Sequence, residues 1–251
     1  MSSVRTPARP GSRKVALVTG SAVRVGRAIA LDLATAGYDL VLHYRSSSAS
    51  AEQLAREVRA LGARAAEMKA NLAKSSEAPR LVDRALRSMG RLDVLVGSAA
   101  NFLRVPFSKT TSLVWDEAMN VNARANFLLA RAAEAELRKR KGRIVLLSDL
   151  AAHRVWKDYS AHAISKAALE MVVRVLARQM APEVSVNGIA PGTILPPESM
   201  TKAETEKLVD QIPLERLGTP EEVARTVRFL CEGPAFLTGQ IIVLDGGRSL
   251  F

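Results

Sequence analysis

Three side chains in this 251-residue sequence stand where a proton could be moved: Asp149, His162 and Lys166. His162 and Lys166 are four positions apart, so on a helix they share one face. Neutral imidazole is a poor acid, because losing its N–H leaves a very basic anion. Imidazolium is a competent acid near neutral pH. A carboxylate such as Asp149 favours the charged ring, and an ammonium such as Lys166 opposes it. General acid catalysis by such a group contributes about 10²–10⁴-fold. Tyr159, in the segment leading into the helix, is a second candidate phenol for the same task. The competing reading is a histidine left at a site that no longer turns over.

The elements that must position these residues are legible around them. Arg143 to Leu147 is an apolar run ending at Ser148-Asp149, and residues 163–180 place Leu169, Val172, Val173, Leu176 and Met180 on one helical stripe. Upstream, the strand Lys14–Thr19 enters Gly20-Ser21-Ala22-Val23-Arg24-Val25-Gly26 and then a helix ending at Gly37. Strand, glycine turn and helix together aim backbone N–H groups and a helix dipole at phosphate. The second strand, Tyr38–Tyr44, runs into Arg45-Ser46-Ser47-Ser48 with no carboxylate. A guanidinium and three hydroxyls suit a 2′-phosphate, hence NADPH/NADP. The plainer alternative is a serine-rich start to a helix at 49–61. Further strands are expected at Arg64–Met68, Leu92–Val96, Glu183–Ile189 and Gln240–Leu244, with a helix at 78–89 and others around Asn122 and Phe127. Strands alternating with helices predict an α/β fold: one parallel sheet of about seven strands, flanked by helices on both faces.

Composition narrows the classes. Hydrophobic residues make up 48% of the chain, yet no apolar run reaches the ~18–20 residues of a membrane span. Residues 1–13 lack the apolar stretch of a secretory signal and read as a flexible basic arm before one domain at 14–251. A lone cysteine, Cys231, excludes an internal disulfide, reads as a core residue and fits a cytoplasmic setting. The net charge of +11 is dispersed, with Arg5, Arg9, Arg13 and Lys14 at the arm and no aromatic-interleaved basic block, so no nucleic-acid or membrane partner is expected. Three scattered histidines offer no metal-ligand spacing.

Thr19-Gly20…Gly26, the Asn122 segment, the Lys166 helix, Asn187…Pro191-Gly192 and Asp245-Gly246-Gly247 together resemble the short-chain dehydrogenase/reductase family over the whole chain after the arm. Arg24 in place of a middle glycine, His43-Tyr44 before the Arg/Ser cluster, Pro191 to Pro197 and an acid at Asp149 resemble its pteridine reductase branch. The resemblance implies a Rossmann-type, doubly wound sheet and a homotetramer or homodimer packed through the helix after Asn122 and the Lys166 helix. It implies NADPH-dependent hydride transfer to a C=N or C=O of a small aromatic heterocyclic or carbonyl substrate. A tyrosine ordinarily supplies the proton, the lysine lowers its pKa, and a water at Asn122 completes the relay. Cofactor contacts carry over to Gly20, Arg24, Val25, Gly26, His43, Tyr44, Arg45, Ser46, Ser47, Asn71, Leu72, Ser98, Ala99, Ala100, Lys166, Pro191, Gly192 and Ile194. Substrate contacts carry over to Arg24, Phe102, Asp149, Tyr159 and Leu195, and catalytic roles to Asp149, His162, Lys166 and Asn122. A substrate lid is expected over 193–214 (Glu198, Met200, Lys202, Glu204), and the C-terminal Arg248–Phe251 is expected to close a neighbour's site.

The chain departs from the family pattern in three places. The family places tyrosine four residues before the lysine; here that residue is His162, and the spacing from Asp149 (162 − 149 = 13) agrees. The turn after the fourth strand is Gly97-Ser98-Ala99-Ala100 where asparagines are usual. Asn71 replaces an acid but can still pair with adenine. These departures motivate an alternative, an NADP(H)-binding pseudoenzyme serving regulation or assembly.

Overall fold

The computed structural model describes residues 13–196 and 200–250. The N-terminal arm up to residue 12, together with Pro197, Glu198, Ser199 and Phe251, therefore lies outside the described residues. Seven strands form one sheet: β1 (Val15–Val18), β2 (Asp39–Tyr44), β3 (Ala65–Lys69), β4 (Val94–Gly97), β5 (Arg143–Leu147), β6 (Ser185–Pro191) and β7 (Ile241–Leu244). Their order is β3-β2-β1-β4-β5-β6-β7 and every pairing is parallel. The strand order reverses between β1 and β4, which opens a crevice at their C-terminal ends.

The central strands are buried on both faces and read as near-continuous apolar runs, whereas the edge strands β3 and β7 are partly exposed. Val15, Leu17 and Val41 point into one core with α3 (Glu77–Met89), α5 (Ala125–Arg140) and α6 (Ser160–Met180). Ala16, Val18, Leu40 and Leu42 point into the other with α1 (Arg24–Thr35), α2 (Ser48–Ala60) and α8 (Pro220–Glu232). Cys231 belongs to that second core, where burial pushes its thiol up to about 12. Helices α4 (Ser112–Ala118) and α7 (Lys202–Val209) complete the layers, and a π-helical turn, Met119–Arg124, joins α4 to α5.

Element boundaries shift for local reasons. The fourth strand starts at Val94, two residues later than its apolar run, because the Asp93 carboxylate accepts from the Val15 N–H (2.8 Å) and binds the Arg91 guanidinium. The sixth strand extends to Pro191, since Gly188–Pro191 pair in register with Ile241–Leu244. Helix α6 begins at Ser160, not 163: Tyr159 is its N-cap residue, and its carbonyl accepts from Ala163 N–H at 2.8 Å.

Candidate active site

One cleft of about 920 Å³ lies over the crevice. Every residue assigned above to cofactor or substrate borders it, and so do Asp149, His162 and Lys166. Asn122 does not.

Two glycines shape the floor at the end of β1. Gly20 has φ +65°, and a Cβ there would come within 2.8 Å of Ala99 Cα. A Cβ on Gly26 would collide with the Gly20 carbonyl. The turn is held by His43 from β2: its Nδ1 accepts from the Gly20 N–H (3.0 Å), and its Nε2–H donates to Ala70 O (3.2 Å). That pair of bonds requires the neutral ring, and burial pulls its pKa down to about 4. Arg24 opens α1 at φ +53° and donates to Leu195 O at 2.6 Å, joining the glycine turn to the segment after β6. The Thr19 hydroxyl accepts from the N–H groups of Ser98 and Ala99, both at 3.0 Å, which ties β1 to the β4 turn without an asparagine side chain.

At the end of β2, Arg45 is exposed and pairs loosely with Glu117 at 3.6 Å. Ser47 occupies the N-cap position of α2 but makes no side-chain cap bond, so its hydroxyl is not spent on the helix. Asn71 Oδ1 accepts from Ala73 N–H at 3.2 Å.

The reacting end is built by β5 and α6. Asp149 leaves β5 extended, and its Oδ1 accepts from Ala151 N–H (2.8 Å), which fixes the carboxylate. His162 is buried, at 2% exposure. Its Nδ1 lies 3.1 Å from Asn101 O, and a carbonyl only accepts, so that nitrogen carries the proton. Its Nε2 has no hydrogen-bond partner among the described residues; Asp149 Oδ2 stands 3.5 Å away, an ionic distance longer than a good hydrogen bond. Lys166, one turn further along, is also buried and donates to Leu147 O at 2.7 Å. Burial lowers its pKa to about 8, while Asp149 and Glu170 pull it the other way. Phe102 stacks tilted on Tyr159 (centroids 4.8 Å apart) and meets His162 edge-on at 4.8 Å.

Asn122 sits behind this wall. Its Oδ1 accepts from Asn101 N–H (3.0 Å), its Nδ2 donates to Asn101 O and Ser165 Oγ, and its own carbonyl accepts from Asn126. It thereby sets the Asn101 carbonyl that orients His162.

Some contributors carry little or no signal in the sequence. Asn101 acts through its backbone, which no motif records. Glu170 is a buried carboxylate under Lys166 that accepts from Ser148 Oγ (2.9 Å) and meets His153 Nε2 at 2.8 Å. Its signal was a single acid within an apolar helical stripe. Trp156 borders the cleft, and Arg248 folds into the cleft of its own chain. Among the described residues no group of His, Cys, Asp and Glu could hold a metal, and no helix is long and apolar enough to cross a membrane.

Fold and cleft together define a dinucleotide-dependent oxidoreductase scaffold, and the comparisons with known proteins agree. Residues 20–249 match the family described as Enoyl-(Acyl carrier protein) reductase. A hydroxynaphthalene reductase-like protein Arp2 from Metarhizium brunneum is 35% identical over 98% of both chains. A 3-oxoacyl-[acyl-carrier-protein] reductase from Synechocystis is 33% identical, covering 95% of this chain and 98% of the relative. Among solved structures, a blue fluorescent protein from a metagenomic library in complex with NADPH superposes with TM-score 0.88 at 33% identity, covering 94% of this chain and 97% of that one. The chain belongs to the short-chain dehydrogenase/reductase family.

Proposed function

We propose that this chain is an NADPH-dependent reductase of the pteridine-reductase type, acting on a C=N or C=O of a small, flat heterocyclic or carbonyl compound. Asp149, His162 and Lys166 handle its proton. The observation that carries this reading is the His162 ring. Asn101 O fixes the proton on Nδ1, and Nε2 is left buried and unpartnered at the cleft wall beside a carboxylate.

The residues present fit NADP(H). The glycine cradle leaves no room for a Cβ at Gly20 or Gly26, and the Ser47 hydroxyl and Arg45 guanidinium are available to a 2′-phosphate. The NADPH complex of a relative supports the same choice. When bound, the cofactor supplies the hydride. The chain's own residues do the rest. Phe102 and Tyr159 offer ring faces to a flat substrate. When His162 is protonated, Nε2–H is directed either to Asp149 or to a basic substrate atom placed between them. A ring nitrogen is more basic than a ketone oxygen and demands less of this acid. Lys166 adds positive charge at the same end, where low dielectric strengthens its effect. The working assembly is a homodimer or homotetramer, and the setting is cytoplasmic.

The test is NADPH consumption with a dihydropterin and with a quinone, between pH 5 and 8. The expected result is turnover that His162→Ala reduces by about 10²-fold or more while NADPH affinity changes little. Equal rates in wild type and His162→Ala would dismiss the histidine as the acid. A rival reading, an NADP(H)-binding protein without turnover, is favoured by the long Nε2–Oδ2 separation and the commitment of Lys166 to Leu147 O. It predicts NADPH binding with no consumption in wild type and none restored by His162→Tyr.

A further inference from the structure

The cleft continues past the reacting centre along a file of rings. From His162 it passes to Phe102, from Phe102 to Tyr159, and from Tyr159 to Trp156, whose ring meets that of Tyr159 edge-on at 6.0 Å. The file ends at Arg248, whose guanidinium carbon lies 5.5 Å from the centre of the Trp156 ring. Both Trp156 and Arg248 border the cleft.

Arg248 is 6% exposed, and among the described residues its guanidinium bonds to neutral oxygens alone. Its Nη1 and Nη2 donate to neutral oxygens, Thr193 Oγ1 at 3.2 Å and Gln211 Oε1 at 3.0 Å. Among the described residues its Nε has no acceptor, and neither has Trp156 Nε1. The acid whose charge reaches it, Asp245, is already committed to the N–H groups of Gly247 (2.9 Å) and Ser249 (2.6 Å). A second cation stands beside it, since Arg154 Nη1 donates to Arg248 O at 2.8 Å. Burial and Arg154 together weaken the hold of Arg248 on its proton.

Buried charges in proteins are ordinarily paired, because desolvating a lone ion is expensive. Here, among the described residues, two unsatisfied donors and a cation with no directly bonded carboxylate stand at one end of a ring-lined cleft. We infer that this end is an anion subsite, in which Arg248 with Trp156 takes a carboxylate or comparable oxyanion on a planar aromatic substrate. Arg248 is thus a specificity residue for acidic over neutral ring compounds. The inference rests on the reductase reading only for the word substrate; the anion site itself stands on the geometry.

The test uses the full chain, with and without NADP⁺, and two probes of equal shape: 2-naphthoate and 2-naphthamide. Calorimetric titration is expected to show the carboxylate binding about tenfold or more tightly. Arg248→Gln should bring the ratio close to one, Arg248→Lys should retain part of it, and Trp156→Phe should reduce it. Equal affinity of the two probes in wild type, no binding of naphthoate, or an undiminished preference in folded Arg248→Gln would overturn the proposal. The wild-type comparison needs no variant, so it decides the matter even where a substitution misfolds. A paired assay separates this inference from the reductase reading, using 4-carboxybenzaldehyde and its methyl ester with NADPH. Turnover of both at equal kcat/KM leaves the reductase standing and removes the anion site. Selective naphthoate binding without turnover of either aldehyde does the reverse.

Discussion

Arg24 holds a backbone conformation that ordinary side chains avoid, φ +53°, and keeps it through one bond to Leu195 O. A residue in this region costs about 1–2 kcal/mol relative to glycine. Arg24→Gly is therefore expected to raise unfolding stability by about 1 kcal/mol while weakening NADPH binding, measured by urea unfolding and fluorescence titration. An unchanged urea midpoint would show that the guanidinium bond offsets the strain. His43 gives a pH dependence of known sign. Its folded pKa, about 4, lies below its unfolded value of 6.5, so the unfolded chain binds the extra proton first. Its contribution to stability is complete above about pH 6.5 and is lost as pH falls towards 4, by at most about 1.4 kcal/mol per unit. Urea unfolding at steps across that window should show the slope in wild type and a shallower one in His43→Asn. A protonated Nδ1 would face the Gly20 N–H donor to donor, so the glycine turn is where the acid damage begins.

Among the elements, α6 and the end of β5 carry the reacting groups. Lys166 is placed by Leu147 O and lies above Glu170, which Ser148 anchors from the strand end. Since burial brings the Lys166 pKa to about 8, the ammonium is lost above that pH. The kcat/KM of the reductase should fall on the alkaline side near pH 8. Glu170→Gln, which removes a negative neighbour, should move that limb to lower pH; an unmoved limb would mean that Glu170 serves only to pack. Much of this frame was legible in the sequence. Apolar runs located all seven strands, and the four-residue step from His162 to Lys166 put both on one helical face. The parts that were hidden depend on contacts across long separations. Asn101 reaches His162 from 61 positions away through a carbonyl, and Arg154 meets Arg248 from 94. Periodicity reports which face of an element is apolar, not which distant loop will lie against it. For the same reason the sequence does not show that the Asn122 side chain bonds to Asn101 and Ser165.

At the scale of the whole molecule, α6 presents Ile164, Met171 and Val175 outward on one stripe, and Phe127 on α5 is exposed as well. Seven and four residues separate these positions on α6, the repeat of a packing face. In the assembly proposed above, we place the second copy of the chain against this stripe. Light scattering should report a dimer or tetramer for the wild type and a smaller species for Met171→Glu with Val175→Glu; identical masses would place the interface elsewhere. The order of the sheet also matters in time. During synthesis β1, β2 and β3 can align early, but β1 waits for β4, more than 70 residues later, before the crevice has two sides. The ring file waits longer still, because Arg248 follows β4 by more than 150 residues. A nascent chain can thus assemble the glycine turn and its His43 clamp well before it can recognise an acidic ring compound. Ligand selectivity is acquired after the cofactor cradle as the chain is made.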